Sequence, residues 1–188
     1  MKDSNYKKKR RRIGLMKKLI ALLMALMLVA LPAMAEEEAG FVFTTVDMEG
    51  NEVTEAIFAD YDLTMVNIWA TWCQYCLVEM QTFPQLKEML PENANLITIC
   101  EDAELEPELV KEILAALKAN YTTLQADGEI YEQILGQVYG FPTTIFVDSE
   151  GKTVGDPMVG LPSGKLEEIA DEYLKAVTLR LQLMGKAE

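Results

Sequence analysis

The polar and apolar positions change period several times along the chain, and each change marks an element. Phe41–Val46 is short and apolar-rich, and Met48-Glu49-Gly50-Asn51 supplies turn chemistry before Val53, which predicts an N-terminal hairpin. Leu63–Ala70 is nearly all apolar, the pattern of a central strand covered on both faces. A helical stretch runs from near Cys73 to Pro91, and Leu96–Cys100 reads as a short β-branched strand. Pro107 opens a helix in which Leu109, Val110, Ile113, Leu114 and Leu117 recur at helical spacing. A strand over Thr122–Leu124, a helical Ile130–Leu135 and a strand over Thr143–Val147 follow. Asp148-Ser149-Glu150-Gly151 then turns the chain into a second strand, and Ser163 caps a last helix with Leu166, Ile169, Ala170, Tyr173, Leu174 and Val177 facing inward. A hairpin entry, alternating βα units and a terminal hairpin plus helix predict an α/β three-layer sandwich with a central mixed sheet.

Before this ordered part, the pattern is of a different kind. Residues 1–35 hold nine bases against one acid, a charge of +8, and include the uninterrupted apolar run Leu19–Leu31. Ala33-Met34-Ala35 and the acidic Glu36-Glu37-Glu38 come next, so the segment reads as the basic, apolar and cleavage regions of a signal peptide cut after Ala35. An uncleaved membrane anchor is the alternative, but the apolar run is shorter than the roughly 20 residues that span hydrocarbon. The expected division is therefore a cleaved segment over 1–35 and one domain over 36–188, located outside the cytoplasm, or membrane-tethered if the segment is retained.

Charge and composition narrow the chemistry. Eight bases against 29 acids leave the remainder at −21, which repels nucleic-acid phosphates and anionic bilayers. The sequence has no histidine, which removes Cys-His and Ser-His-Asp nucleophile systems and metal sites that need imidazole. The reactive candidates are in Trp72-Cys73-Gln74-Tyr75-Cys76, directly after the buried strand and at a helix start. There the unpaired N–H groups and the positive end of the helix dipole favour a thiolate, so Cys73 is expected to be the exposed nucleophile. Cys76, one turn along, can attack a mixed disulfide on Cys73 and release the reduced partner. Two other readings of the pair are a zinc half-site, for which only Cys100 remains as a further thiol, and a purely structural disulfide. Cys100 itself ends a core strand and reads as a small buried hydrophobe.

Met65–Glu79, MVNIWATWCQYCLVE, and Val138–Lys152, VYGFPTTIFVDSEGK, resemble the thioredoxin-like proteins of the TlpA/ResA type, which are exported or membrane-associated bacterial disulfide reductases. The resemblance covers the chain from about Phe41 onward. It implies a thioredoxin-like fold with an extra βα element, over Thr122–Leu135, and no cofactor. Pro142 matches the family's cis-proline, which leaves the backbone of Phe141 to pair with a substrate strand. Glu79 matches the family's glutamate three residues after the second cysteine, where a shielded carboxylate can exchange a proton with Cys76. An ordinary exposed helix acid is the plainer reading of Glu79. Asn67 stands where classical thioredoxins carry a buried acid, so a relay would fall to Glu79. Trp72 either contacts partners near Cys73 or shields the site.

Two departures from the family pattern stand out: Gln74-Tyr75 lacks the common proline before the second cysteine, and Pro84 lies later than the usual helix proline. The expected partners are client-protein disulfides and a membrane electron donor of the CcdA type, with the chain acting as a monomer. Two alternatives use the same fold: a redox-silent binding module, and a thiol peroxidase using Cys73 alone. The peroxidase would call for an arginine to polarise peroxide, and Arg180 is the only one after residue 35.

Overall fold

The computed structural model describes residues 39–187. The expected signal segment and its cut after Ala35 lie outside the described residues. The chain forms strands β1 (Thr44–Val46), β2 (Glu52–Thr54), β3 (Leu63–Trp69), β4 (Ala94–Cys100), β5 (Thr122–Gln125), β6 (Thr143–Asp148) and β7 (Met158–Val159). Its helices are α1 (Gln74–Met80), α2 (Phe83–Met89), α3 (Pro107–Leu117), α4 (Gly128–Gln133) and α5 (Leu166–Leu183).

Five strands make the main sheet in the order β5-β4-β3-β6-β7. β3 runs parallel to β4, β4 parallel to β5, and β6 antiparallel to both β3 and β7, so the sheet is mixed. Every residue of β3 is buried, which explains its nearly continuous apolar sequence: it has a strand on either side and helices or loops over both faces. Leu63, Met65 and Trp69 point into one core with Met80, Phe83, Leu86, Val110, Ile169, Tyr173 and Val177, brought by α1, α2, α3 and α5. Val66 and Ile68 point into the other, with Phe43, Phe58, Ile130 and Ile134. Alternation along β3 thus separates two cores, giving the expected three layers.

The hairpin of β1 and β2 is closed by Asp47, whose Oδ1 accepts the N–H groups of Glu49 at 3.0 Å and Asn51 at 2.8 Å. Met48 N–H donates to the Thr123 carbonyl at 3.0 Å and the Thr45 hydroxyl to the Gln125 carbonyl at 2.8 Å, fastening the hairpin over the β5 edge. An otherwise open edge is covered in this way. At the other end of the sheet, Gly151 holds a φ of 79° in the turn after β6 and its carbonyl accepts Phe41 N–H at 2.8 Å. A Cβ on Gly40 would lie 2.1 Å from the Glu150 carbonyl oxygen, so only glycine fits there.

Several local expectations are corrected. The stretch from Cys73 to Pro91 is two helices, not one: Thr82 N–H and hydroxyl both bond to the Glu79 carbonyl, at 2.9 and 2.7 Å, ending α1. Pro84 then sits in the first turn of α2, where no N–H is required, so it starts a helix instead of kinking one. Helix α4 is shorter than Ile130–Leu135 suggested at its C-terminal end and passes into a 3-10 turn over Leu135–Gln137. Ser163 does not cap the last helix. Lys165 holds that position, while the Ser163 hydroxyl donates to Glu168 Oε2 at 2.9 Å. Leu109 and Leu166 are exposed, because each lies at the edge of an apolar stripe whose centre the core already fills.

Candidate active site

The fully buried β3 ends at Trp69, and the chain leaves the sheet through Ala70-Thr71-Trp72 to enter α1. Cys73 is the N-cap: its backbone is extended, with φ −86° and ψ 98°, and its Sγ accepts the Cys76 N–H at 3.2 Å. A serine or asparagine oxygen would ordinarily take that place; here a sulfur does. Cys73 and Cys76 are joined in a disulfide with Cα atoms 5.3 Å apart. Neither is freely exposed. Cys73 retains 6% of its surface and Cys76 none, so the expectation of an exposed Cys73 is corrected to a buried disulfide in which Cys73 is the less covered residue. Trp72 and Tyr75, which flank Cys73 in sequence, are each 66% exposed.

The strap before Cys73 is held from the neighbouring strand. Trp69 and Cys100 are register partners at the ends of β3 and β4, and Asp102 lies just beyond. Asp102 Oδ1 accepts Thr71 N–H at 2.9 Å and the Cys100 thiol at 3.3 Å, and Oδ2 accepts the Thr71 hydroxyl. Burial pushes the Asp102 carboxyl up, but the bonds from Thr71 and Cys100 outweigh it and hold the group below its usual range. Burial first, and then Asp102, push the Cys100 thiol far above its ordinary range, which agrees with an inert core cysteine.

Glu79 is fully buried, which sets aside its reading as an exposed helix acid. It receives the Asn67 Nδ2–H at Oε1, 2.6 Å away, and the Tyr173 hydroxyl at Oε2, 2.8 Å away. Burial pushes its carboxyl up to about 7, against the opposing effect of these two bonds. One turn of α1 separates it from Cys76.

Phe141 packs edge to face with Trp72, ring centroids 5.7 Å apart, so the loop before β6 meets the loop that leads into α1. The Phe141–Pro142 peptide bond is cis, and the Pro142 carbonyl accepts Gly160 N–H at 2.8 Å. An apolar cleft of about 220 Å³ borders the same loop, lined in part by Val138, Tyr139, Thr143, Ile145 and Val159. The structure therefore joins Cys73 to Cys76 and packs Trp72 on Phe141, the residue before the cis Pro142, while Glu79 is buried one turn further along α1. Arg180 is committed elsewhere: it lies over the Phe146 ring and donates to the carbonyls of Val154 and Asp156, at 2.9 and 2.7 Å.

Thr71, Asp102, Thr144 and Tyr173 were missing from the sequence-based site. Asp102 had a signal, an acid two residues after a strand that pairs with the strand feeding Cys73. Tyr173 had a weaker one, a hydroxyl on the inward stripe of an amphipathic helix.

The mixed sheet, the capped Cys-x-x-Cys disulfide and the adjoining Phe141–Pro142 loop define a thioredoxin-fold protein. Solved structures agree with that class. A thiol:disulfide interchange protein of the thioredoxin family from Chlorobium tepidum superposes with a TM-score of 0.63 at 19% identity, over 76% of this chain and 95% of that one. StoA from Bacillus subtilis gives 0.55 at 18% identity, over 70% and 96%. A secreted disulfide oxidoreductase from Mycobacterium tuberculosis gives 0.54 at 20% identity, over 71% and 95%. No family model matches the sequence.

Proposed function

We propose that this chain is an extracytoplasmic thiol–disulfide oxidoreductase that reduces disulfides in exported client proteins. The observation that carries the reading is the Cys73–Cys76 disulfide at the start of α1, with Cys73 at the N-cap and slightly exposed and Cys76 fully buried. In the reduced protein the Cys73 thiolate attacks a client disulfide, forming a mixed disulfide and expelling a client thiolate. Cys76 passes its proton to the Glu79 carboxylate and attacks Cys73 Sγ. The intramolecular disulfide forms, the second client sulfur leaves as a thiolate, and that sulfur takes up the proton held by Glu79. Two electrons pass to the client, the Cys76 proton ends on the second client sulfur, and the negative charge of the Cys73 thiolate leaves on the first, which takes its proton from solvent.

The client would lie as an extended segment against Phe141 and Pro142, with Trp72 beside its cysteine. The basic and apolar segment before Glu36 supports export, and the Mycobacterium tuberculosis structure is itself of a secreted protein. The reducing direction is supported by the uncharged Gln74-Tyr75 pair and by the acidic surroundings, neither of which favours a thiolate as a strong oxidant requires. A reductase must be recharged, and a membrane dithiol donor of the CcdA type would do this. The paired cysteines speak against a redox-silent module, and the committed donors of Arg180 against a peroxidase.

Equilibration of the Cys73–Cys76 couple in glutathione buffers tests the proposal. A potential below roughly −200 mV is expected, and a value near about −120 mV would make the protein an oxidase.

A further inference from the structure

Glu79 belongs to a closed ring of four buried side chains drawn from four elements. Asn67 on β3 and Thr144 on β6 are register partners, and Asn67 Nδ2 spans them, donating to Glu79 Oε1 at 2.6 Å and to Thr144 Oγ1 at 2.9 Å. The Thr144 hydroxyl donates to the Tyr173 oxygen at 3.2 Å, and the Tyr173 hydroxyl on α5 donates to Glu79 Oε2 at 2.8 Å. All four residues are fully buried. Counting protons gives the ring a direction: the two amide hydrogens and two hydroxyl hydrogens are all committed, Glu79 accepts two of them, and it donates none. That is the arrangement of a carboxylate.

A neutral Glu79 must donate, so one of its two donors must turn. The Tyr173 hydroxyl can swing toward Thr144, or the Asn67 amide can turn over. Asn67 Oδ1 is buried without a hydrogen-bond partner, so it would gain one by accepting the carboxyl proton. The ring accommodates a neutral Glu79 only by re-orienting one of these groups, and it is biased toward the anion by the two bonds it supplies. Burial pulls the other way. The groups that face Glu79 are Asn67 from β3, Thr144 from β6, Tyr173 from α5 and, on its own helix, Cys76. Of these only Tyr173 titrates while Cys76 is held in the disulfide. No basic side chain pairs with Glu79 among the described residues.

We propose that Tyr173 and Asn67 are positioning residues for disulfide turnover: their two hydrogen bonds aim the Glu79 carboxylate and decide whether it holds or releases the proton exchanged with Cys76. This rests on the proton-relay role given to Glu79 above. Both residues bond Glu79 directly, and it is through Glu79 that they act.

The test follows the Glu79 carboxyl by 13C NMR titration in the full oxidised chain, beside the pH profile of client reduction. Tyr173→Phe keeps the ring and removes only the hydroxyl. It should move the Glu79 midpoint up by about one pH unit, a tenfold change, because one bond to the anion is lost. The Glu79-dependent limb of the rate profile should move by the same amount. Asn67→Ala removes the other donor and should shift the midpoint in the same direction, serving if the first variant folds poorly. A midpoint unmoved in both variants overturns the proposal while leaving the relay intact. A midpoint that moves while the rate limb stays fixed overturns the relay, and with it the role in turnover; Glu79→Gln with an unchanged profile identifies that outcome independently.

Discussion

Asp102 grips Thr71 at two points, taking its backbone N–H on one oxygen and its hydroxyl on the other, so a carboxylate from the end of β4 fixes the strap that leads to Cys73. The same Oδ1 takes the Cys100 thiol at 3.3 Å, and three donors thereby converge on one group. Its position explains why a nearly buried acid is tolerated beside a site that works through a thiolate: its charge is spent on neutral donors two residues from the sulfur.

Asp102→Ala should therefore destabilise the fold by about 1–3 kcal/mol, since it leaves the Thr71 N–H unpaired. The wild-type carboxyl is held below its usual value, so the stability it contributes is present above the unfolded-state value and fades as pH falls through the lower folded one. Urea unfolding of both proteins at pH 7 and pH 3 checks this. The gap between them should narrow in acid, and an equal gap at both values would show that the charge contributes nothing.

Glu79 works with the opposite sign. Its carboxyl is pushed from 4.5 up to about 7, so folding favours the neutral acid, fully below the unfolded-state value and no longer above about pH 7. Ionising it in the folded state costs about 3 kcal/mol at most. Glu79→Gln, locked neutral, should match the wild type near pH 4 and exceed it in stability by about 2–3 kcal/mol at pH 8. Denaturant melts across that range decide the point, and a variant that is less stable at pH 8 would mean that the two lost charge-assisted bonds outweigh burial.

Trp72 is two-thirds exposed yet stacked edge to face on Phe141, a combination that suits a contact surface better than a core. Trp72→Ala should leave the unfolding midpoint nearly unchanged and raise KM for a protein client about 3–10-fold while kcat changes little. Kinetics with a client disulfide and with a small aromatic disulfide separate the effects. Equal losses on both substrates would assign Trp72 to shielding the sulfurs instead.

Much of this was legible in the chain itself, and the reasons differ by residue. β3 could be read because a strand buried on both faces is apolar at most positions, and of its two polar residues, Thr64 and Asn67, the second marked the place where the sheet meets Glu79. Cys73 at a helix start followed from strand, then cysteine, then helical spacing. The break between α1 and α2 was not legible, because it depends on Thr82 bonding back to the Glu79 carbonyl, a contact that many helical threonines never make. Leu109 and Leu166 fit a helical stripe but lie at its margin, and periodicity gives no width for the surface that receives it. The ring around Glu79 could not be assembled from sequence, since Thr144 and Tyr173 lie 77 and 94 residues from their partners Asn67 and Glu79.

The three cysteines should separate cleanly in chemistry because their surroundings do. Cys100 is fully buried, its thiol is held far above the ordinary range by burial and then by Asp102, and it donates to that carboxylate. Cys76 is fully buried, whereas Cys73 keeps a small exposed fraction and its sulfur accepts the Cys76 N–H at the start of α1. Brief alkylation of the reduced native protein at neutral pH should add one label, on Cys73, while the oxidised protein takes none. In Cys76→Ser the client should remain attached to Cys73 as a stable mixed disulfide, because the covered sulfur that would displace it is gone. Peptide mapping after trapping distinguishes the sulfurs. A first label on Cys76 would reverse the assignment of attacking and resolving thiols, and one on Cys100 would show that the β4 end opens in solution far more readily than its buried contacts allow.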